Sequence, residues 1–236
     1  MKKRILIILL SLLSCGVGFG QRFGKNYPSF DRKKVHFGFS LGINTSDFRY
    51  QLNPDTAFMD SITNINIKKQ PGFNLGIIGS WDIHETVHLR FIPSLSFQER
   101  LFTYTFWDPY SGEYEIRDNR LESTYLDFPL LLKLRTKRIN NFAAYAIGGF
   151  QYSLDLASQK DVDQSLGDPI VKIQQHDWAY QVGGGFDFWL PYFKFGLELK
   201  LSNGIKNLVI QDNTFFMDPL SSLKSKVWWF SLTFEG

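Results

Sequence analysis

The ten residues Val35-His36-Phe37-Gly38-Phe39-Ser40-Leu41-Gly42-Ile43-Asn44 place an apolar side chain at every second position. Successive side chains of a β-strand point to opposite faces, so this stretch has one apolar face and one face of small or polar residues. The pattern predicts a β-strand. It is typical of a soluble sandwich, with the apolar face against a core, and of a membrane barrel, with that face against lipid.

Seven further stretches alternate in the same way. With the first they give eight predicted strands, at Val35–Asn44, Gly72–Ile83, Val87–Phe106, Leu121–Arg135, Phe142–Asp155, Asp177–Trp189, Phe193–Gly204 and Ser225–Phe234. Each has at least the about 9–11 residues that a tilted strand needs to cross the hydrocarbon layer of a membrane. An even number of strands is typical of bacterial outer-membrane barrels.

The connections between these strands alternate between short and long. The short ones are His84 to Thr86, Thr136 to Asn141 and Leu190 to Tyr192, and the long ones are Thr45 to Pro71, Trp107 to Arg120, Leu156 to His176 and Ile205 to Lys224. Outer-membrane barrels have short periplasmic turns and long extracellular loops. The alternation therefore favours an all-β fold, an eight-stranded antiparallel transmembrane β-barrel over residues 35–236.

Aromatic residues near the strand ends agree with this interpretation, because 17% of the chain is aromatic and barrels carry aromatic girdles at both membrane surfaces. We expect one belt at the short turns and one at the long loops. The first comprises Trp81, Phe142, Trp189, Tyr192, Phe193 and Phe234, and the second comprises Tyr104, Phe106, Trp107, Trp178 and Trp228.

The first 20 residues predict export. They contain a basic head, Met1 to Arg4, an apolar run, Ile5 to Leu13, and a small-x-small site at Gly18-Phe19-Gly20. These are the parts of a secretory signal peptide, so we expect the mature chain to begin at Gln21, without a helical anchor, and to reach the outer membrane of a Gram-negative cell. Cys15 follows a sequence similar to a lipoprotein cleavage box, but the bulky Leu13 fits that box poorly. We interpret Cys15 as part of the leader, and the alternative is a lipidated Cys15.

Charge excludes one class of partner. Removing Lys2, Lys3 and Arg4 from the 26 basic residues leaves 23, which equals the 23 acidic residues. A mature chain of balanced charge gives no indication of a polyanionic partner, nucleic acid included. Outer-membrane lipid is the partner that the barrel itself implies.

The inward faces of the predicted strands carry polar and charged side chains. An eight-stranded lumen is just wide enough for side chains to fill, so we expect a packed, paired polar core without a conduction path. Gly183-Gly184-Gly185 lies inside an alternating run and predicts a strand kink or a close backbone approach rather than a phosphate loop. The residues predicted to face inward are His36, Asp82, His88, Arg90, Ser96, Gln98, Asp127, Lys133, Gln151, Asp155, Gln181, Asp187, Lys194, Glu198 and Lys200.

No spacing in the chain indicates a catalytic triad or a metal site, so we expect no enzyme activity, no catalytic residue and no cofactor. The predicted periplasmic segment Gln21–Lys34 is basic, with a single Asp31. Its run Arg32-Lys33-Lys34 is interpreted as a solvated flank beside the membrane or as a docking site for a periplasmic partner.

Several segments resemble the PorT family of small outer-membrane barrels of Bacteroidetes. The resemblance spans nearly the whole mature chain, and its most particular element is the Tyr-x-x-Phe-Pro pattern, here Tyr125 to Pro129. Proline cannot donate to the strand ladder, so Pro129 also predicts a local irregularity. The similar segments are Phe37 to Asn44, Tyr125 to Lys133, Leu201 to Leu208 and Leu232 to Gly236.

This resemblance implies a function in protein transport. It suggests a non-enzymatic component of the type IX secretion system, which in some species supports gliding motility, with other secretion-system proteins of the outer membrane or periplasm as partners. Two alternatives remain beside it. One is a small barrel for adhesion or envelope integrity, and the other is a barrel enzyme that modifies lipids.

Overall fold

A computed structural model of the chain describes residues 24–52, 62–108, 110–158, 172–210 and 220–236. The expected leader, Cys15 and Gln21 lie outside the described residues. In these ranges a 3-10 turn, Phe30–Arg32, precedes the strands, and no helix is both long and apolar enough to cross a bilayer. The strands are β1 (Val35–Leu52), β2 (Ile62–His84), β3 (Val87–Phe91), β4 (Ser94–Asp108), β5 (Glu113–Arg135), β6 (Phe142–Asp155), β7 (His176–Trp189), β8 (Lys194–Gly204) and β9 (Leu220–Glu235).

The strands form one closed antiparallel ring. β1 pairs with β2 on one side and with β9 on the other, so that Phe39 lies between Ile77 and Phe234. β3 and β4 occupy a single position, because both pair with β2 and with β5. The ring therefore has eight positions, and the predicted eight-stranded antiparallel barrel is confirmed.

The break between β3 and β4 lies opposite the irregularity that Pro129 predicts. Neither Ile92 nor Pro93 belongs to a strand, and the neighbouring ladders run Phe91 to Leu130 and Ser94 to Asp127. The Ile92 N–H donates to the Pro129 carbonyl at 3.2 Å. Pro129 has no backbone N–H to donate toward β3 and β4. The missing donor of β5 therefore lies opposite the break between those two strands.

The wall has the predicted polarity in its middle section. Phe37 and Ile43 of β1 are 68% and 63% exposed, whereas Ser40 and Asn44 between them are 4% and 2% exposed. The apolar side chains therefore face outward and the polar ones face the lumen. A soluble barrel would show the opposite arrangement.

The strands extend further than predicted at the end of the barrel away from the termini, called here the long-loop end. β1 continues to Leu52, and β4 and β5 pair as far as Asp108 and Glu113. Most of Trp107 to Arg120 is therefore paired strand, and the predicted long loop there is wrong. Thr45 to Pro71 is likewise largely strand, with residues 53–61 outside the described ranges. Polar composition suggested loops, but a two-stranded ribbon outside the membrane tolerates polar residues on both faces.

The polarity of the strand faces reverses where the strands pass this level. In β4 the outward Leu95 and Phe97 give way to Glu99, and the inward Gln98 gives way to Phe102. The period of two continues, but the apolar face turns inward, as in a water-soluble barrel. An apolar cluster consequently fills the long-loop end, made of Phe48, Ile65, Ile67, Phe102, Tyr104, Phe106, Leu121, Ile173, Leu208, Leu220 and Leu223.

The reversal corrects part of the expected aromatic belts. Tyr104 and Phe106 are buried in the apolar cluster, and Trp189 at the other end is 1% exposed inside the barrel. The indole and phenyl rings at these positions therefore seal the lumen instead of contacting lipid. Trp81, Trp107, Trp178, Tyr192 and Trp228 are exposed on the outside.

Candidate functional site at the short-turn end

The middle of the lumen is filled by paired charges. The Arg90 guanidinium donates to Glu198 at 2.6 Å and to Glu235 at 3.1 Å, and all three side chains are buried. Around them, Lys200 lies 2.7 Å from Glu198, and Lys194 lies 2.9 Å from Glu235. Buried charges are tolerated when each has a partner, and the charges of β3, β8 and β9 satisfy one another across the lumen.

A second pair and a tyrosine complete this layer. Lys133 donates to Asp187 at 2.8 Å, and its ammonium lies 3.6 Å from the centre of the Tyr145 ring. The Tyr145 hydroxyl donates to Glu198 at 3.0 Å. Gly185 leaves room for this ring, since a Cβ there would lie 2.6 Å from the Tyr145 hydroxyl oxygen. The predicted close backbone approach at the glycine run is therefore found, because a Cβ would also clash with the Leu197 carbonyl oxygen at Gly185 and with the Leu199 carbonyl oxygen at Gly183.

Of the residues predicted to face inward, all except Asp82 are buried, and Asp82 is partly exposed. Glu235, which is 1% exposed, also faces the lumen but was not among the predicted residues. Extending the alternation of Ser231 and Thr233 by one more step would have placed Glu235 on the inner face. Arg100 was also missed, and it lies buried with its guanidinium 4.2 Å from the Phe48 ring centre.

The end of the barrel that carries the chain termini and the three short turns is the short-turn end. Residues 24–34, called here the N-terminal cap, fold across it. Phe30 is 1% exposed, stacks on His36 with ring centroids 3.7 Å apart, and packs edge-on against Trp189. The ammonium of Lys194 lies 4.5 Å from the centre of the Phe30 ring. An aromatic side chain thus closes the lumen from this side.

Hydrogen bonds fix the N-terminal cap to the turn between β5 and β6. The Asn26 N–H donates to Asn141 Oδ1 at 2.8 Å, and its side-chain amide donates to the Trp189 carbonyl at 3.0 Å. Arg138 donates to Asp31 at 2.9 Å and to the Asn26 carbonyl. Partial burial lowers the pKa of Arg138, and Asp31 opposes that shift. The segment is therefore an ordered cap with a buried Phe30, while Arg32, Lys33 and Lys34 stay exposed at its surface.

Beneath Phe30, two histidines share one carboxylate. Asp82 Oδ2 lies 3.2 Å from His36 Nε2, and Asp82 Oδ1 lies 2.5 Å from His88 Nδ1. This arrangement occupies both oxygens of Asp82 and orients the His36 ring on which Phe30 stacks. In the described ranges, no group of three His, Cys, Asp or Glu side chains is placed to hold a metal ion.

The basic run lies on the outer surface of the N-terminal cap. Arg32, Lys33 and Lys34 are exposed, and the Asp82 N–H donates to the Lys34 carbonyl at 2.8 Å, which holds the run beside β2. The fold places further cations next to it, which sequence spacing could not reveal. Together they line an open cleft of about 510 Å³, called here the mouth cleft, whose charged residues are Lys25, Asp31, Arg32, Lys33, Lys34, Asp82, Glu85, Arg135, Lys137 and Arg138.

Comparison with known proteins agrees with this architecture. Residues 19–209 match the family model described as outer membrane protein beta-barrel domain, and a search of curated proteins gave no match. Among solved structures, OprG from Pseudomonas aeruginosa has 15% identity and a TM-score of 0.48, with 86% of this chain and 95% of OprG covered.

Two further solved structures are similar at lower TM-scores. Neisserial surface protein A has 9% identity and a TM-score of 0.44, with 85% of this chain and 96% of that chain covered. Ail of Yersinia pestis, crystallised with the heparin analogue sucrose octasulfate, has 14% identity and a TM-score of 0.37, with 86% of this chain and 100% of that chain covered. The family match covers well over half of the chain. The protein therefore belongs to the outer membrane protein beta-barrel domain family and is located in the outer membrane.

Proposed function

We propose that this protein is a non-enzymatic component of the type IX secretion system, similar to PorT, which supports secretion and, in gliding species, motility through protein contacts. The observation that carries the proposal is the filled lumen. Apolar side chains close its long-loop end, ion pairs fill its middle, and Phe30 closes its short-turn end. A barrel without a path for cargo acts through its surfaces.

The assignment to secretion rests on the resemblance to PorT-like barrels. Its most particular element, Tyr125 to Pro129, coincides with the break between β3 and β4, where Pro129 accepts from Ile92. A pattern tied to a specific irregularity of the wall is a stronger point of similarity than alternation alone.

We further propose that the chain is organised as a signal peptide over residues 1–20, a periplasmic segment over residues 21–34 and a barrel over residues 35–236.

Within this function, we propose that Arg32, Lys33 and Lys34 dock a periplasmic partner. Short turns are typical of the periplasmic end of such barrels, which supports a periplasmic position for this end. Substituting all three residues by Ser in the chromosomal gene is expected to reduce secretion of type IX cargo while barrel abundance in outer membranes stays constant. Normal secretion from that strain would exclude these charges as a docking site.

The gene deletion tests the proposal as a whole. We expect the deletion strain to lose type IX cargo from the medium, to regain it on complementation, and to keep its lipid A mass spectrum, which an enzyme that modifies lipids would change. A pull-down from wild-type outer membranes is expected to recover secretion-system subunits. Recovery of none, together with normal secretion by the deletion strain, would refute the proposal.

Adhesion is the second candidate function, and the extracellular ribbon of β4 and β5 favours it. Tyr110 at its tip is fully exposed, and Tyr114 and Ile116 are 62% and 66% exposed. Exposed aromatic and aliphatic side chains outside the membrane suit contact with another surface. Normal secretion by the deletion strain with reduced attachment of cells to a surface would support adhesion instead.

A further inference from the structure

The mouth cleft concentrates positive charge, although residues 21–236 as a whole have equal numbers of basic and acidic residues. Its seven cations come from three elements: the N-terminal cap, the end of β5 and the turn that follows β5. Of its three carboxylates, Asp31 pairs with Arg138 at 2.9 Å and Asp82 is held by two histidines. Glu85 is the remaining carboxylate of the lining. Lys25, Arg32, Lys33, Lys34 and Lys137 form no ion pair with any residue that the structure describes.

The cations are held on fixed backbone. The Lys33 N–H donates to the Phe30 carbonyl at 3.1 Å, and the side chain of Phe30 is buried in the barrel mouth. On the opposite side, Arg135 and Arg138 lie over the Trp189 ring at 5.1 and 4.4 Å. An anion entering between these elements meets charges whose positions are already set, which lowers the entropic cost of binding.

We infer that the mouth cleft binds an acidic peptide segment of a periplasmic protein. This inference rests on the proposed function and specifies the partner's chemistry. The cleft lies at the rim of the barrel mouth, between the inward-facing Asp82 with the exposed Ile83 of β2 on one side and Arg138, which lies over the buried Trp189, on the other. Trp81 and Val35, on the outer wall where inner-leaflet headgroups are expected, are not part of its lining. Its position therefore favours a soluble anion over a lipid. An open cleft of about 510 Å³ accommodates several carboxylate side chains of an extended segment.

Direct binding by the full-length protein in neutral detergent tests this inference. The probe is a fluorescein-labelled hexaglutamate peptide followed by anisotropy, with labelled hexaglutamine as the neutral control. We expect saturable binding of hexaglutamate only, which weakens as NaCl rises from about 50 to about 300 mM because salt screens exposed charges. Equal binding of both peptides would overturn the inference.

Variants test whether the peptide binds to cations from both the N-terminal cap and the turn after β5, or only to the basic run of the cap. Lys33→Ser/Lys34→Ser/Lys137→Ser is expected to weaken binding about tenfold, and Lys137→Ser alone about threefold, because the exposed charges act on the same ligand. Arg49→Ser/Lys68→Ser/Lys69→Ser removes three exposed cations from the long-loop end and is expected to leave affinity within about twofold. An unchanged affinity of Lys137→Ser, or an equal loss in the control variant, would contradict the cleft.

Lipid vesicles decide between the two sources of anion. Phosphatidylglycerol vesicles are expected not to displace the hexaglutamate peptide, and displacement would reassign the cleft to lipid headgroups. This binding is measured apart from secretion, so the two proposals fail separately. If the protein still pulls down secretion subunits but does not bind the peptide, the inferred peptide site is rejected and the secretion role stands. If the peptide binds but the deletion strain secretes normally, the secretion role is rejected and the peptide site stands.

Discussion

Leu41 and Ser40 are neighbours in β1, and the closed sheet sends their side chains to opposite sides of the wall. Leu41 is 41% exposed on the outer face, and Ser40 is 4% exposed in the lumen. The two environments penalise the same substitution for different reasons. Lipid penalises charge, whereas a filled lumen penalises volume.

Leu41→Arg is therefore expected to destabilise the barrel by about 2–4 kcal/mol, the cost of an arginine at the bilayer midplane. Urea unfolding in lipid vesicles measures this loss. Arg49 is exposed in the part of β1 that extends beyond the lipid, next to the buried Phe48. Arg49→Gln on the same strand therefore serves as the control and should change the stability little. Wild-type stability of Leu41→Arg would show that β1 does not face lipid as the structure has it.

Phe30 supplies the main apolar contact between the N-terminal cap and the barrel. Phe30→Ala is expected to open the cap while leaving the barrel folded, because truncating a buried phenylalanine costs about 3–5 kcal/mol and the cap has few other apolar contacts. Hydrogen exchange of the Phe30 and Lys33 amides, which bond within the cap, should become faster. Tyr192→Ala removes an 86% exposed ring at the same end and should leave both amides unchanged.

At the scale of the strands, the lumen connects elements that are distant in the chain. Glu198 of β8 accepts from Arg90 of β3 at 2.6 Å and from Tyr145 of β6 at 3.0 Å. These bonds cross the lumen and couple the two sides of the ring. Loss of the carboxylate leaves Arg90 with Glu235 as its remaining charged partner in the described residues.

Glu198→Gln is expected to destabilise the barrel by on the order of 3–5 kcal/mol, since Lys200, whose ion-pair partner in the described residues is Glu198, becomes an uncompensated buried charge. A lower melting temperature in detergent measures the loss. Glu122→Gln removes a carboxylate from the exposed face of β5 and is the matched control, expected to stay within about 0.5 kcal/mol. A melting temperature of Glu198→Gln equal to that of the control would mean that the network contributes nothing.

At the scale of the whole molecule, closure satisfies the backbone of every strand within the membrane. A closed barrel resists dodecyl sulfate until it is boiled. Purified protein should therefore migrate faster unheated than boiled on a gel. Identical migration of the two samples would contradict closure.

The lumen is obstructed at three levels, so planar bilayer recordings are expected to show no stable conductance. Deleting residues 24–34 should not open a channel, because the ion pairs and the apolar cluster remain. Steady ohmic current through the intact protein would require a different account of its function.

The alternation of residues and the unequal connections determined the number of strands, their direction and the lipid-facing side of each. These are local properties, because the period of two is set by strand geometry within each segment. The same reasoning placed fourteen of the fifteen inward residues in buried positions. Composition also indicated loops, and it failed for Trp107 to Arg120 because polar residues suit an exposed ribbon as well as a loop.

Only the tertiary structure decided how distant segments meet. Asn26 contacts Asn141, and Arg138 contacts Asp31 across 107 positions of sequence. No local pattern in a basic segment shows whether it is solvated or packed. Closure of the ring brings the N-terminal cap over the turn between β5 and β6, so the burial of Phe30 and the shared cations of the mouth cleft arise from the fold alone.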